Sequence, residues 1–220
     1  MKTIAVGITV HNRNDMAIGN INYWMRMLPP NARLFIVDDA SHVPFPGADF
    51  RFNENIGIAV AKNKCLELCD YADYIFLADD DVFPRASDWW VPYIESGYNH
   101  MCMTFNRKAD YVSKDYISYE KPCGCMLFFQ RECLEVVGGF DPEFKGYSYE
   151  HVNLSQRIFN AGLTPRPFID VHNSGVYFKS LDYYCEVKSS VSNTDKIVGI
   201  AQNSLLLEQK KFSKQFIPYK

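Results

Sequence analysis

Tyr74-Ile75-Phe76-Leu77-Ala78-Asp79-Asp80-Asp81 runs from five apolar residues straight into three carboxylates, and Pro84 follows shortly after. A short apolar run bounded by turn residues reads as a buried strand. Three adjacent carboxylates at its end repel one another and gain nothing from apolar surroundings. A cation or a set of donors must compensate them, and a hard divalent metal does so with oxygen ligands. The plainer reading is a solvated acidic turn with one aspartate capping the next helix. The tripeptide alone does not separate the two.

Outward from this stretch the same pattern repeats. Ile4 to Val10 is another apolar run, followed by polar His11 to Asp15. Asn14 or Asp15 is placed to cap a helix that runs to about Met27 and stops at Pro29-Pro30. Leu34 to Val37 is a further strand, ending at Asp38-Asp39-Ala40-Ser41. A Pro/Gly-rich loop, a short strand around Phe50 to Phe52 and a helix over Gly57 to Leu68 come next. Strands alternating with helices predict a parallel sheet covered on both faces. Ligands of such sheets bind beyond the carboxyl ends of the strands. His11 to Arg13, Asp38-Asp39 and Asp79 to Asp81 all fall there. Independent acidic turns have no reason to share one edge, so the convergence favours the metal reading.

The second half is less regular. Arg107 to Lys121 is polar and tyrosine-rich, which suits a loop or hairpin. Met126 to Phe129 reads as a strand, and Glu132 to Val137 as a short helix ended by Gly138-Gly139. Tyr149 to Ala161 is amphipathic. Phe168 to Val171 is a strand that delivers His172, and a last helix spans about Lys196 to Phe212. Lys210, Lys211 and Lys214 gather at its end, where cations oppose the helix dipole.

Composition sets outer bounds. At 47% apolar and 22% charged, the 220 residues can bury a full globular core. A net charge of −3 gives no reason to expect a polyanionic partner. Met1-Lys2-Thr3 leads directly into a strand, with neither a signal peptide nor the roughly 20 apolar residues of a membrane span, so a cytoplasmic location is expected. The seven cysteines are an odd number in mostly apolar contexts and read as reduced core thiols. Cys123-x-Cys125 lacks zinc-ligand spacing and opens a strand, with both side chains facing the same way.

The chain resembles the GT-A fold glycosyltransferases, close to glycosyltransferase family 2. Ile8-Thr9-Val10-His11-Asn12-Arg13 looks like the family's opening strand and loop, and Val37-Asp38-Asp39-Ala40-Ser41 like its "V-D-D-G-S". Asn55 to Asn63 resembles "N-x-G-x-A-x-A-R-N", with Lys62 in place of the usual arginine. Leu77 to Asp81 resembles the D-x-D segment, and Gly124 to Asp141 the strand and helix ending "V-G-G-F-D". Tyr149 to Leu154 stands where the family has "G-x-E-D-x-D-L". One D-x-D is weak, but blocks in the family's order from Ile4 to about His172 are not.

The resemblance implies an α/β fold over residues 1–220: a Rossmann-like sheet flanked by helices, with 1–105 binding a nucleotide sugar and 106–220 the acceptor. It implies a metal-dependent transferase that moves a sugar from a donor, UDP-linked by expectation, to an acceptor hydroxyl. The acceptor class is open: glycan, lipid carrier, protein or nucleic-acid base. By analogy Asp81 and His172 would ligate Mn²⁺ or Mg²⁺, and Asp79 would meet the metal or the ribose. A nitrogen ligand among carboxylates would suit Mn²⁺ better. Thr9, Arg13, Asn55 and Asp80 would line the nucleotide pocket. Asp38 or Asp39 would accept from the base ring, with Lys62 nearby. The departure is Glu150-His151, where inverting members carry Glu-Asp and the aspartate is the base. Histidine titrates in the right range for that work, so His151 or Glu150 would deprotonate the acceptor, unless the enzyme retains configuration. Tyr111, Tyr116, Tyr119 and Tyr147 are candidates for an acceptor wall. Two other readings compete. A sugar nucleotidyltransferase would want a glycine-rich loop that His11-Asn12-Arg13-Asn14 lacks. A non-catalytic carbohydrate- or nucleotide-binding protein would keep the fold and lose the base.

Overall fold

The computed structural model describes residues 2–105, 107–184, 186–187, 189 and 191–220. In chain order the first half comprises β1 (Ile4–Val10), α1 (Asn14–Met27), β2 (Ala32–Asp38), β3 (Phe50–Arg51), α2 (Ile58–Cys69), β4 (Tyr74–Asp79), β5 (Val82–Pro84), α3 (Val91–Glu95) and β6 (His100–Cys102). The second half adds β7 (Tyr111–Val112), β8 (Ile117–Ser118), β9 (Met126–Gln130), α4 (Arg131–Val137), α5 (Glu150–Asn160), β10 (Ile169–Asp170), α6 (Ser174–Tyr177), β11 (Phe178–Ser180) and α7 (Asn193–Lys210).

The main sheet has the order β3-β2-β1-β4-β9-β6. Its first four strands are parallel, as the sequence predicts. β9 and β6 are not: β9 inserts antiparallel between β4 and β6. Strand alternation splits the core between the two faces. Ile4, Val6, Ile8, Phe76 and Phe128 pack with Trp24 and Trp89 on one side. Ala5, Ile75, Leu77, Leu127 and Phe129 pack with Cys65, Leu66 and Leu134 on the other. Gly7 sets how closely α2 lies on β1, because a Cβ there would meet Cys65 Cβ at 2.7 Å and Leu77 Cδ2 at 2.8 Å. Beyond the main sheet, β7, β8 and β10 form a small antiparallel sheet, and β11 pairs with β5.

Three expectations change in detail. Neither Asn14 nor Asp15 caps α1; its N-cap is Arg13, without a side-chain cap, because Asn14 turns to the Val43 carbonyl. The aspartate triplet leads into β5 rather than a helix. The stretch after Val171 adds α6 and β11, which no periodicity announced. Cys65, Cys69, Cys102 and Cys133 are buried free thiols as expected, while Cys123 and Cys125 are half-buried. Cys185 lies outside the described residues. Among the described residues no helix is long and apolar enough to cross a membrane.

Candidate active site at the carboxyl edge of the sheet

Strand register brings the polar ends together. Thr9 pairs with Asp79, and Val10 with Asp38. The triplet's backbone is held from α1: Asn20 Nδ2 donates to the Asp80 carbonyl at 2.9 Å, and Trp24 Nε1 to the Val82 carbonyl at 2.8 Å.

Each carboxylate of the triplet has its own partner. Arg13 forks onto Asp80 through Nε at 3.2 Å and through Nη2, and Nη2 lies 3.7 Å from Asp81 Oδ1. Asp81 Oδ2 accepts from Ser180 Oγ and from the Asp182 amide at 3.2 Å. Asp79 Oδ1 lies 3.2 Å from Lys62 Nζ, without an aligned hydrogen bond. Burial pushes the Asp80 carboxyl up to about 7; Arg13 opposes this, and Asp81 and Asp79 add to it. Asp79 is raised by burial too, with Lys62 working against the rise.

Lys62 joins two halves of the fold. It is 3% exposed on α2, and its Nζ lies 3.3 Å from Glu150 Oε1 and 3.2 Å from the Gly124 carbonyl. Burial opposes its charge, but Asp79 and Glu150 outweigh burial and raise it above its ordinary value. Glu150 faces the same burial, and Lys62 and then His151 hold its carboxyl well below the usual range.

Glu150 and His151 open α5. His151 Nδ1 lies 3.3 Å from Glu150 Oε1. The imidazole packs onto Gly124, where a Cβ would fall 2.4 Å from His151 Cγ, and Gly124 has φ +70°. Ser148 and Tyr149, just before the helix, both adopt left-handed backbone. Such residues cost about 1–3 kcal/mol each and persist only where the surroundings impose them. Here α7 imposes them: Asn203 Nδ2 donates to the carbonyls of Lys145, Tyr147 and Ser148 at 2.8–3.2 Å. From below, Ser155 Oγ donates to the His151 carbonyl at 2.9 Å and lies 2.7 Å from Nε2 of buried His100.

Other expected residues stand apart. Asp38 is fully buried and accepts from the amides of Ser41 at 2.8 Å and Phe45 at 3.0 Å and from Arg51. Burial alone would raise it, yet those hydrogen bonds hold it below the usual carboxylate range. Asp39 accepts from the amides of Ile56 at 2.8 Å and Gly57 at 3.1 Å. Both carboxylates are thus spent on local backbone ahead of α2 and, for Asp38, on Arg51, and Lys62 lies with Asp79 and Glu150, not with them. Asn55 is exposed beside the His11 ring, 3.2 Å from both ring nitrogens. It borders a cavity of about 360 Å³ with Ile56, Gly57, Val60, Phe144 and Lys145.

His172 Nε2 lies 3.1 Å from the Ser113 carbonyl. Because β10 pairs with β8, the residue after it faces the β7–β8 hairpin. The structure does not bring His172 to the aspartates, and among the described residues no three His, Cys, Asp or Glu side chains stand ready to hold a metal. Of the tyrosines, Tyr119 is 6% exposed and Tyr116 packs edge-on to Tyr98, while Tyr111 and Tyr147 are open.

The donor chemistry fits a hard divalent cation. Among the described residues, Asp79, Asp80, Asp81 and Glu150 face Arg13 and Lys62 as neighbouring cations. The formal excess is two negative charges, the countercharge of one divalent ion. Among the described residues, Asp79 Oδ1 lacks an aligned donor, and Asp81 Oδ1 has only the distant Arg13 contact. An all-oxygen set removes the argument from a nitrogen ligand for Mn²⁺ over Mg²⁺. The sequence reading passed over Gly124 and Ser180. Gly124 carried a weak signal, a glycine just before a strand; Ser180 carried none.

Comparison with known proteins places this geometry. Residues 105–178 match the family model for the N-terminal domain of galactosyltransferase. An uncharacterized glycosyltransferase of Acanthamoeba polyphaga mimivirus is 29% identical over 213 residues, covering 85% of this chain and 80% of the relative. Among solved structures, a Pyrobaculum calidifontis mannosyltransferase in complex with GDP-Man and Mn²⁺ superposes with a TM-score of 0.57 at 16% identity, over 76% of this chain. This chain spans 56% of that mannosyltransferase's length. S. aureus TarS gives 0.59 at 13% identity, over 96% of this chain and 73% of the other. A Drosophila galactosyltransferase 7 mutant in complex with manganese, UDP-Gal and xylobiose gives 0.57 at 15%, over 90% and 79%. The chain therefore has the GT-A fold of these solved structures, and the galactosyltransferase-domain match and the glycosyltransferase relative support a glycosyltransferase.

Proposed function

We propose that the chain transfers a sugar from a nucleotide diphosphate donor, UDP-linked in our reading, to an acceptor hydroxyl, with Asp79 and Asp81 holding Mn²⁺ or Mg²⁺. The bound metal would supply Lewis-acid stabilisation of the departing diphosphate. The observation that carries the reading is Lys62 between Asp79 and Glu150, because it ties the metal-binding strand end to the base-bearing helix through one ammonium. Arg13 forks onto Asp80 and keeps Nη1 buried without an acceptor, a spare donor for a phosphate oxygen. Thr9 and Asn55 line the nucleotide side. Mn²⁺ beside UDP-Gal in one neighbour and beside GDP-Man in another supports a metal-bridged donor without choosing the base.

In this proposal His151 is the base and Glu150 positions it. Glu150 stays ionised against Lys62, so it accepts from His151 Nδ1–H. That contact fixes the tautomer and leaves Nε2 to take the acceptor hydroxyl's proton. His172 has no ligand role here, and Asp38 and Asp39 shape the pocket floor without meeting the base. The acceptor lies on the second-half side, with Tyr111 and Tyr147 as its exposed aromatic faces.

The test is donor hydrolysis and transfer with a panel of UDP- and GDP-sugars in Mn²⁺ or Mg²⁺. Asp81→Ala is expected to abolish turnover; retained turnover rejects the metal assignment. His151→Gln is expected to lower kcat by roughly 10²–10⁴-fold with nucleotide binding intact. A loss of nucleotide binding in thermal shift, at unchanged turnover per bound donor, would reject the base role.

A further inference from the structure

Arg107, Lys108, Tyr119, Glu120 and Lys121 line a cavity of about 220 Å³ in the second half of the chain. Three cations there face one anion, on a chain whose net charge is −3. Elsewhere on the surface such charges are answered by close partners: Lys64 by Glu67, Arg131 by Glu135, Lys179 by Glu186 and Lys220 by Asp70. Among the described residues Arg107, Lys108 and Lys121 have no carboxylate in ion-pair contact, that of Glu120 included. Like charges gathered this way repel one another, and a bound anion relieves them.

The walls of the cavity are held in place. Arg107 Nη1 donates to the Lys121 carbonyl at 3.0 Å, which ties the two ends of the polar stretch together. The guanidinium carbon lies 5.9 Å from the Tyr183 ring centroid. Tyr119 is buried, and its amide donates to the Phe168 carbonyl at 3.1 Å, just ahead of β10. With Nη1 engaged, Nε and Nη2 of Arg107 have no oxygen acceptor among the described residues. Those two nitrogens form the edge that grips a phosphate with two parallel hydrogen bonds. The cavity also lies close to the candidate base. Lys121 is three residues before Gly124, so their Cα atoms are at most about 11 Å apart, and Gly124 meets the His151 ring and Lys62.

We propose that this cavity is an anion subsite for the acceptor and takes a phosphate monoester carried on the same sugar-sized unit as the reacting hydroxyl. The charge decides among anions. Three cations less one carboxylate leave two positive charges, and a phosphate monoester brings about −1.5 to −2 at pH 7. A carboxylate or a phosphodiester brings one. A nucleic-acid backbone calls for a longer basic stripe on a basic domain, which a net charge of −3 does not provide. The donor's phosphates are a separate matter, because Arg13 and the aspartates that would meet them stand at the ends of β1 and β4. The acceptor role of the cavity rests on the glycosyl-transfer reading; the anion site itself does not.

The test titrates the full chain with inorganic phosphate by calorimetry, at constant ionic strength and without metal or donor. Saturable binding is expected. Arg107→Gln and Lys121→Gln, both at exposed positions, should each weaken it about tenfold or more, as loss of a charge-assisted contact predicts, and leave UDP binding in Mn²⁺ unchanged. Arg13→Gln should leave phosphate binding in place. Phosphate binding that is lost in Arg13→Gln and survives in the other two variants puts the anion with the donor and overturns the proposal. No saturable binding, acetate binding as tightly as phosphate, or tighter binding of an oligonucleotide without a terminal phosphate overturns it as well. With the donor panel, hexose phosphates should exceed their parent hexoses about tenfold or more in kcat/KM, through KM, and Arg107→Gln should remove most of that difference. Hexose phosphates used no better than the parent hexoses overturn the acceptor role. If no donor turns over at all, the glycosyl-transfer reading fails while the phosphate titration still judges the anion site.

Discussion

Gly124→Ala probes the contact on which the base assignment depends. Two costs follow from the structure. An L-residue at φ +70° pays roughly 1–2 kcal/mol for the left-handed conformation. The new methyl would also fall 2.4–2.5 Å from three atoms of the His151 ring, an overlap that overpacking data place at about 1–3 kcal/mol. The sum is about 2–5 kcal/mol. Only the second cost needs the imidazole, so in a His151→Ala background Gly124→Ala should cost only the roughly 1–2 kcal/mol backbone share. Urea unfolding of the four proteins of this double-mutant cycle measures the coupling, expected at about 1–3 kcal/mol with unchanged m-values. If Gly124→Ala costs the same in both backgrounds to within about 0.5 kcal/mol, His151 is not fixed against Gly124 and the reasoning fails. The same variant should lose most of the turnover that His151→Ala loses, because the ring can no longer lie where Glu150 orients it.

Lys62→Met strands two carboxylates in a buried site, and removing one partner of such a set costs about 3–5 kcal/mol; the deficit should shrink as pH falls and the carboxylates take up protons, which unfolding across a pH series reads. His100 is fully buried and its pKa is lowered to about 4. Its contribution is therefore whole above its unfolded value near 6.5 and is lost as pH falls through 4, by about 3 kcal/mol at the low end. Asp80 and Asp170, both raised to about 7, act in the opposite sense over this window, so the slope must be compared with that of His100→Gln, in which the His100 share should vanish. Asp38→Asn removes the Arg51 ion pair and weakens two amide contacts, so thermal or urea unfolding should show a loss of about 2–4 kcal/mol at neutral pH. Because the Asp38 carboxyl is held low when folded, that advantage is present above the ordinary carboxylate range and disappears as pH falls through its folded value.

The parallel half of the sheet was legible because each strand there is an apolar run closed by a turn signal, and α2 and α5 carry their periodicity openly. The antiparallel insertion of β9 was not, since Met126 to Phe129 reads identically in either direction and its neighbours are set by β4 and β6. α6 and β11 are too short to show a period, yet β11 brings Ser180 to Asp81. His172 shows the limit of reading a residue's place from the end of its strand. It does follow β10, but β10 belongs to the small sheet with β7 and β8, so the side chain meets the Ser113 carbonyl.

Asp38-Asp39 and Asp79-Asp80-Asp81 look alike as sequence: acidic clusters at the carboxyl ends of the two parallel strands that flank β1. What separates them is the range over which their charge is answered. Asp38 and Asp39 are satisfied by groups within the next few turns of chain, Ser41, Phe45, Arg51, Ile56 and Gly57, so they close a loop and retain little acceptor capacity. The triplet is answered only from a distance, by Arg13, Lys62 and Ser180, and incompletely. Local satisfaction makes a structural aspartate. A residual charge that only long-range partners approach is what the proposed cation site rests on, because an incoming cation would gain the electrostatic energy that the fold left unpaired. At position 62 a lysine stands where the resembled motif has arginine, and its compact ammonium contacts Asp79, Glu150 and the Gly124 carbonyl at 3.2–3.3 Å from one buried point.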